Sequence, residues 1–288
     1  MRLRQTLFIA GLSVLLYAPA PAQLNLSRQP DFFAAGASNW SVPLGARDGL
    51  GAAFASGDFN NDGFTDLAVG APTKMLQSAS EAGAVHILFG AATGLQRSGS
   101  QVFNQSSPET GDQLGRALAA GDFNNDGFQD LAVAADLEDM RGVRDAGGVY
   151  VVYGSTSGLS VAGSQFWEQA SEGIAASPAD GDRFGFALTV GDFNGDQYAD
   201  LVIGSPWEDE FGAANSGAVH TIYGTASGLA ANSVQVWNRN SIEIDGLAGD
   251  RLGWSVAAGD FNRDGFEDLA VGLPGRRVGS AERRVRSS

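Results

Sequence analysis

One phrase, written four times with small changes, constrains this chain more than anything else in it. GDFNNDGFTDLAVGAP begins at Gly57, GDFNNDGFQDLAVAAD at Gly121, GDFNGDQYADLVIGSP at Gly191 and GDFNRDGFEDLAVGLP at Gly259. The first aspartates stand at 58, 122, 192 and 260, so the intervals are 64, 70 and 68 residues. Other phrases keep the same beat. Leu50-Gly51, Leu114-Gly115, Phe184-Gly185 and Leu252-Gly253 precede the acidic phrase. GAVHILFG from Gly83, GGVYVVYG from Gly147 and GAVHTIYG from Gly217 follow it, each with Gly-Leu behind, at 94, 158 and 228. Phe103, Trp167 and Trp237 close the units, and Trp40 falls one interval earlier, at the tail of a preceding unit. A fixed period of this length marks an array of supersecondary units that bury their faces against one another.

Within a unit the apolar runs are short. Leu118 to Phe123 alternates weakly and breaks at an acidic loop, Asp130 to Ala134 is apolar, Val149 to Tyr153 is β-branched and aromatic, and Gln165 to Trp167 lies in a further extended segment. No long stretch has helical periodicity. Four short strands per unit, joined by Gly-rich turns, predict an all-β chain of four-stranded antiparallel sheets arranged as propeller blades. The units run about 45–106, 107–170, 177–240 and 245–275, the last incomplete, which makes a partial propeller of three to four blades.

The acidic loops have the chemistry of a hard cation site. In the first, oxygen side chains stand at loop positions 1, 3, 5 and 9 (Asp58, Asn60, Asp62, Asp66), with Gly63 at position 6 and Phe64 at position 7. Calcium takes six to eight oxygens in a flexible shell, mixing carboxylates with a backbone carbonyl, which Phe64 supplies here. The other loops offer Asp122, Asn124, Asp126, Phe128 and Asp130; Asp192, Asn194, Asp196, Tyr198 and Asp200; and Asp260, Asn262, Asp264, Phe266 and Asp268. The EF-hand is excluded because position 12 is Val69, Val133, Ile203 or Val271, never Glu. A bare turn needs one Asp or Asn and a Gly, whereas three carboxylates within nine residues repel unless a cation joins them. About four Ca²⁺ sites are therefore expected, structural rather than catalytic, each of about 10⁻⁴–10⁻³ M affinity because Asn at position 3 holds the loop to three carboxylates. The third loop has Gln197 where the others have Gly, so it is expected to be the weakest.

Composition narrows the setting. Arg2 and Arg4, an apolar run from Thr6 to Tyr17 and the small residues of Ala20-Pro21-Ala22 read as a signal peptide over 1–22, cut after Ala22, so the protein is expected to be secreted with no membrane span. Removing two arginines takes the net charge from −15 to −17, and four Ca²⁺ would bring it to −9. Such acidity excludes a nucleic-acid partner. The chain has no Cys, so there are no disulfides and no thiolate metal sites.

No catalytic motif stands out: there is no His-Glu-x-x-His, Gly-x-Ser-x-Gly or phosphate loop. His86 and His220 share one repeat position, which Tyr150 fills in the middle unit, and Asp112, Asp182 and Asp250 repeat as turn residues. The expected role is non-enzymatic binding or adhesion to an extracellular protein or carbohydrate. The variable segments Thr73 to Ala82, Asp136 to Ala146 and Trp207 to Ser216 are where a ligand site is expected. Trp207, beside Glu208, Asp209 and Glu210, is either a sugar- or partner-facing aromatic or a blade-packing indole.

Together these phrases resemble the FG-GAP repeat of integrin α-subunit propellers and of secreted bacterial propeller proteins, over most of 45–275. The resemblance implies calcium in the hairpin between the first and second strands of each blade. Two departures stand against it. The family closes with about seven blades, and after Pro274 the chain turns into a basic tail over 276–288. We expect a truncated or frame-shifted reading of a longer gene; the alternative is a short ring whose last blade is completed by a strand near Trp40. The competing function is the propeller portion of a longer secreted hydrolase or lyase whose catalytic part is absent.

Overall fold

The computed structural model describes residues 45, 47–174, 176–209, 212–238, 241 and 248–276, together with the backbone of two N-terminal strands. Those two, β1 (Arg4–Ile9) and β2 (Leu12–Tyr17), pair antiparallel as a sheet of their own. They fall inside the segment read as a signal peptide. Its cleavage position at Ala22, the strand expected near Trp40 and the tail beyond Arg276 lie outside the described residues.

The rest is a series of antiparallel meanders. β3 (Phe54–Gly57), β4 (Asp66–Ala71), β5 (Ala84–Phe89) and β6 (Gln96–Phe103) form the first sheet. β7 (Leu118–Gly121), β8 (Asp130–Ala135), β9 (Gly148–Tyr153) and β10 (Ser160–Trp167) form the second. β11 (Ala187–Gly191), β12 (Asp200–Ser205), β13 (Ala218–Tyr223) and β14 (Ala230–Trp237) form the third. A pair, β15 (Val256–Gly259) and β16 (Asp268–Val271), begins a fourth. β3 lies against β7, β7 against β11 and β11 against β15, so the first strands make an inner row from which the sheets fan out as blades. This is a partial β-propeller.

The second strand of each blade explains the composition. DLAVGA, DLAVAA and DLVIGS are near-continuous apolar runs because neighbouring sheets cover both of their faces; β8 and β12 are buried along their whole length. A strand solvated on one face would alternate instead. The outer strands β6 and β10 are largely exposed and rich in polar residues, and the ladders from β5 to β6, β9 to β10 and β13 to β14 each carry a register shift. Gly99 and Gly163 sit in the first two shifts with φ near +80°, and such bulges turn the exposed outer edge away from edge-to-edge pairing.

The cores lie between blades rather than within them. Phe59, Ile87, Leu114, Leu131 and Val152 join the first blade to the second; Phe123, Val151, Phe184, Leu201 and Ile222 join the second to the third. Two repeat phrases make this packing close. A Cβ added at Gly70 would lie 2.0 Å from the Gly115 carbonyl oxygen, and one at Gly204 would lie 2.1 Å from that of Gly253. Only a glycine lets the main chains of successive blades meet there. The second blade departs, with Ala134 at this position.

Candidate functional site: the acidic hairpin loops

Each loop joins the first and second strands of its blade, and its hydrogen bonds repeat nearly atom for atom. In the first, Asp58 Oδ1 accepts the N–H of Asp62 at 3.0 Å and Oδ2 that of Gly63 at 2.8 Å. Asn60 Oδ1 accepts the same Asp62 N–H, while its amide donates to Asp62 Oδ2 at 3.0 Å. Asp62 Oδ1 accepts the N–H of Phe64 at 2.9 Å. Asp122, Asn124 and Asp126 hold the second loop in the same way, Asp192, Asn194 and Asp196 the third, and Asp260, Asn262 and Asp264 the fourth.

The ninth residue does something different. Asp66 is buried at the start of β4, where Oδ2 accepts the N–H of Phe59 and Oδ1 that of Gly90 beyond β5. Asp130 and Asp200 repeat this with Phe123 and Gly154, and with Phe193 and Gly224. Asp268 receives Phe261 N–H at 2.9 Å, with Asn262 Nδ2 at 3.4 Å from its other oxygen. Burial, reinforced by the two nearby loop aspartates, pushes the carboxyls of Asp66 and Asp200 up to about 6 and that of Asp130 to about 7, against the pull of the backbone N–H donors.

Two positions per loop turn left-handed. Position 6 does so at Gly63, Gly127 and Gly265 with φ of 86°, 91° and 93°, and in the third loop at Gln197 with φ of 73°. Position 4 does so as well, at Asn61, Asn125, Gly195 and Arg263. Sequence reasoning found only the first. The signal for the second was present in Asn61, Asn125 and Gly195, residue types that tolerate this region. The third loop has moved its glycine from position 6 to position 4.

The donor set suits a hard divalent cation: carboxylates, an amide oxygen and the carbonyl of Phe64, Phe128, Tyr198 or Phe266. Each carboxylate oxygen that accepts one N–H keeps a second lone pair. Hydrogen bonds bring Asp58, Asn60 and Asp62 together, while Asp66 stands behind them facing two backbone amides. Among the described residues no three acidic or histidine side chains form a chelating cluster, so holding an ion requires these side chains to turn inward.

The remaining predicted positions lie away from the loops. His86, Tyr150 and His220 occupy one register on the third strands, opposite Val69, Val133 and Ile203. Burial lowers His86 and His220 to about 4, so both are neutral at pH 7. Asp112 and Asp182 close turns by accepting the N–H of Glu109 and Ala179 at 2.7 Å. Trp207 follows β12 at the opposite end of the blade from the loops. It meets Phe186 edge-on at 4.8 Å and Trp254 at 5.2 Å.

A family model described as the FG-GAP repeat matches residues 50–88, 114–152, 184–222 and 252–282, half of the chain, with one loop in every match. The chain belongs to the FG-GAP repeat family. Bovine phosphatidylinositol-glycan-specific phospholipase D is 33% identical over 162 residues, covering 56% of this chain and 19% of that protein. Integrin alpha-PS2 of Drosophila melanogaster is 29% identical over 230 residues, covering 77% of this chain and 15% of that protein. The FG-GAP chain thus spans about a fifth or less of these relatives. Among solved structures, a rhamnogalacturonan lyase of Bacillus licheniformis overlaps with a TM-score of 0.47 and 13% identity, covering 94% of this chain and 59% of that one.

Proposed function

We propose that this FG-GAP chain is a secreted, calcium-stabilised propeller module that binds a partner and carries out no chemistry of its own. The observation that carries the reading is the ninth-position aspartate. A buried carboxylate is placed behind two others in three successive blades, at Asp66, Asp130 and Asp200, and the half-buried Asp268 repeats the position in the fourth; like charges so arranged are stabilised by a shared cation. Asp58, Asn60, Asp62, Asp66 and the Phe64 carbonyl would hold it in the first loop, and their counterparts in the others. Bound there, the ion would neutralise the loop and, in the first three blades, tie the first hairpin to the end of the third strand, as through Asp66 and Gly90. Secretion is part of the same proposal and rests on the N-terminal leader pattern. Among the described residues no helix is long and apolar enough to cross a membrane.

The test is thermal unfolding of the full chain with Ca²⁺, with Mg²⁺ and with excess chelator. At ten times Kd one site adds about 1.4 kcal/mol, so several sites give a rise of several degrees. The rise should be specific to Ca²⁺ and shrink when Asp58, Asp122, Asp192 and Asp260 become Ala. A cooperative transition indifferent to Ca²⁺ defeats the proposal.

The similarity to phospholipase D favours a second reading, in which the chain is the propeller portion of a longer hydrolase. Turnover of an ester, glycan or phosphodiester by the purified chain would defeat the first reading; the second is tested by assaying the product of the extended reading frame on the same substrates.

A further inference from the structure

An antiparallel meander places the acidic loop and the connection from third to fourth strand at one end of each blade, and the connection from second to third strand at the other. At that other end, between the third and fourth blades, five side chains meet. Arg183 and Phe186 lead into β11, Arg251 and Trp254 lead into β15, and Trp207 follows β12. Phe186 lies 4.8 Å from Trp207 and 5.0 Å from Trp254, and the two indoles are 5.2 Å apart, all three half-buried. The Arg183 guanidinium sits 4.8 Å over Trp207, while that of Arg251 is 5.8 Å from Trp207 and 5.3 Å from Trp254.

The repeat shows that the fold does not require these residues. The position of Phe186 and Trp254 is held in the earlier blades by Ala52 and Arg116, that of Arg183 and Arg251 by Gly49 and Gln113, and that of Trp207 by Thr73 and Leu137. All these positions belong to the same inter-blade joint, yet only here do three aromatics and two arginines converge. A packing need shared by every joint would have selected similar residues at each.

The charge here also runs against the rest of the molecule, which carries −15 overall. Arg183 faces the buried Asp136 at 3.8 Å. Among the described residues no carboxylate lies within 4 Å of the Arg251 guanidinium, and its buried Nε has no acceptor. A guanidinium stacked on an aromatic face still presents its in-plane N–H fork, which matches a carboxylate. The backbone offers a ligand little. The Phe186 N–H is taken by the carbonyls of Arg183 and Gly204, that of Leu252 by Ser216, and that of Trp254 by Arg251. An extended peptide would find no main-chain ladder at these residues. A sugar ring needs only an aromatic surface for its C–H face and a donor for its charge.

We propose that the Arg251–Trp254–Trp207–Phe186–Arg183 patch binds a carboxylated sugar, a uronate residue of an acidic glycan, with the carboxylate on the Arg251 and Arg183 forks and the ring against the tryptophans. This rests on the reading of the chain as a binding module.

The experiment titrates the full chain in Ca²⁺ with a β-1,4-linked glucuronate trisaccharide and with the uncharged glucose trisaccharide, following tryptophan emission and heat. Saturable binding of the uronate is expected, at least about tenfold tighter than the neutral sugar, and weakened at least about tenfold in Arg251→Gln, as loss of a charge-assisted pair implies. A melting curve confirms that the variant is folded, and Arg183→Gln replaces it if it is not. Equal binding of the two sugars, or unchanged uronate binding in a folded variant, overturns the proposal. So does tighter, Arg251-dependent binding of a Glu-rich peptide, which would assign the patch to a protein. Absence of uronate binding by a chain whose melting responds to Ca²⁺ removes this patch while leaving the calcium propeller intact.

Discussion

Replacing Gly70 by Ala tests whether successive blades are held by main-chain contact. The added Cβ would lie 2.0 Å from the Gly115 carbonyl oxygen and 3.1 Å from its carbon. Taking roughly 3.3 Å as the ordinary closest C···O approach, the blades must part by about 1.3 Å. Nothing flexible stands in the way to yield. Gly70 is fixed by Gly51 N–H to Gly70 O at 2.8 Å and Gly70 N–H to Ala53 O at 2.9 Å, and Gly115 N–H donates to Ala134 O at 2.8 Å. Overpacking against a fixed obstacle falls near the top of its range, about 3 kcal/mol. The relief of glycine's backbone entropy returns roughly 0.5–1 kcal/mol. A net loss of about 2 kcal/mol is expected. With an m-value of roughly 3 kcal/mol/M, the urea midpoint should fall by about 0.7 M at constant m. Ala134→Gly is the control, since the second joint already accommodates that methyl and loses about 1 kcal/mol with it. A Gly70→Ala protein within about 0.5 kcal/mol of the parent refutes the argument, because the first joint would then open as readily as the second has.

Three further perturbations are as direct. Gln197→Gly should stabilise the chain by about 1 kcal/mol in urea unfolding, since Gln197 holds φ of 73°. Glu138, beside Asp112 and Gln105, has its carboxyl raised to about 7, first by burial and then by the Asp112 charge. The folded state therefore binds this proton more tightly than the unfolded one, so its stabilisation is complete below about 4.5 and is lost as pH rises through about 7. Glu138→Gln should melt higher than the parent at pH 8, with the difference fading by pH 4.5. Phe59→Ala should cost about 3–5 kcal/mol, whereas the repeat-equivalent Phe261→Ala, at 66% exposure, should change denaturation by no more than about 0.5 kcal/mol.

Much of the blade was legible in the sequence because it rests on local chemistry. The acidic phrase announces its own turn, and the apolar run from Asp130 shows by its lack of alternation that both faces are covered. The joints between blades were not legible. Nothing in a single unit says that Gly70 meets Gly115, or that Phe59 enters the core formed by Leu131 and Val152, because those partners belong to the next unit. Lys74, Glu138 and Glu208 share one repeat position, yet only the fold shows Lys74 on Asp48 at 3.0 Å and Glu138 on Gln105. The same holds for the surroundings of Trp207. Its companions Phe186 and Trp254 lie 21 and 47 residues away along the chain.

The phenylalanine at the second position of each loop gives the array a direction. Phe59 and Phe123 are completely covered by the blade that follows, and the carbonyls of Asp58 and Phe59 receive N–H groups from Gln129 and Ser155 of that blade. The carbonyls of Asp122 and Asp192 do the same for Ala199 and Glu267. A ribosome releasing this chain from its N-terminus thus produces each unit with an aromatic left uncovered, and the cover arrives only with the next 64 to 70 residues. Folding during synthesis is vectorial in a specific sense: each of the first three units is finished by its successor. A ligand or ion that tightens one blade is felt first by the blade made before it.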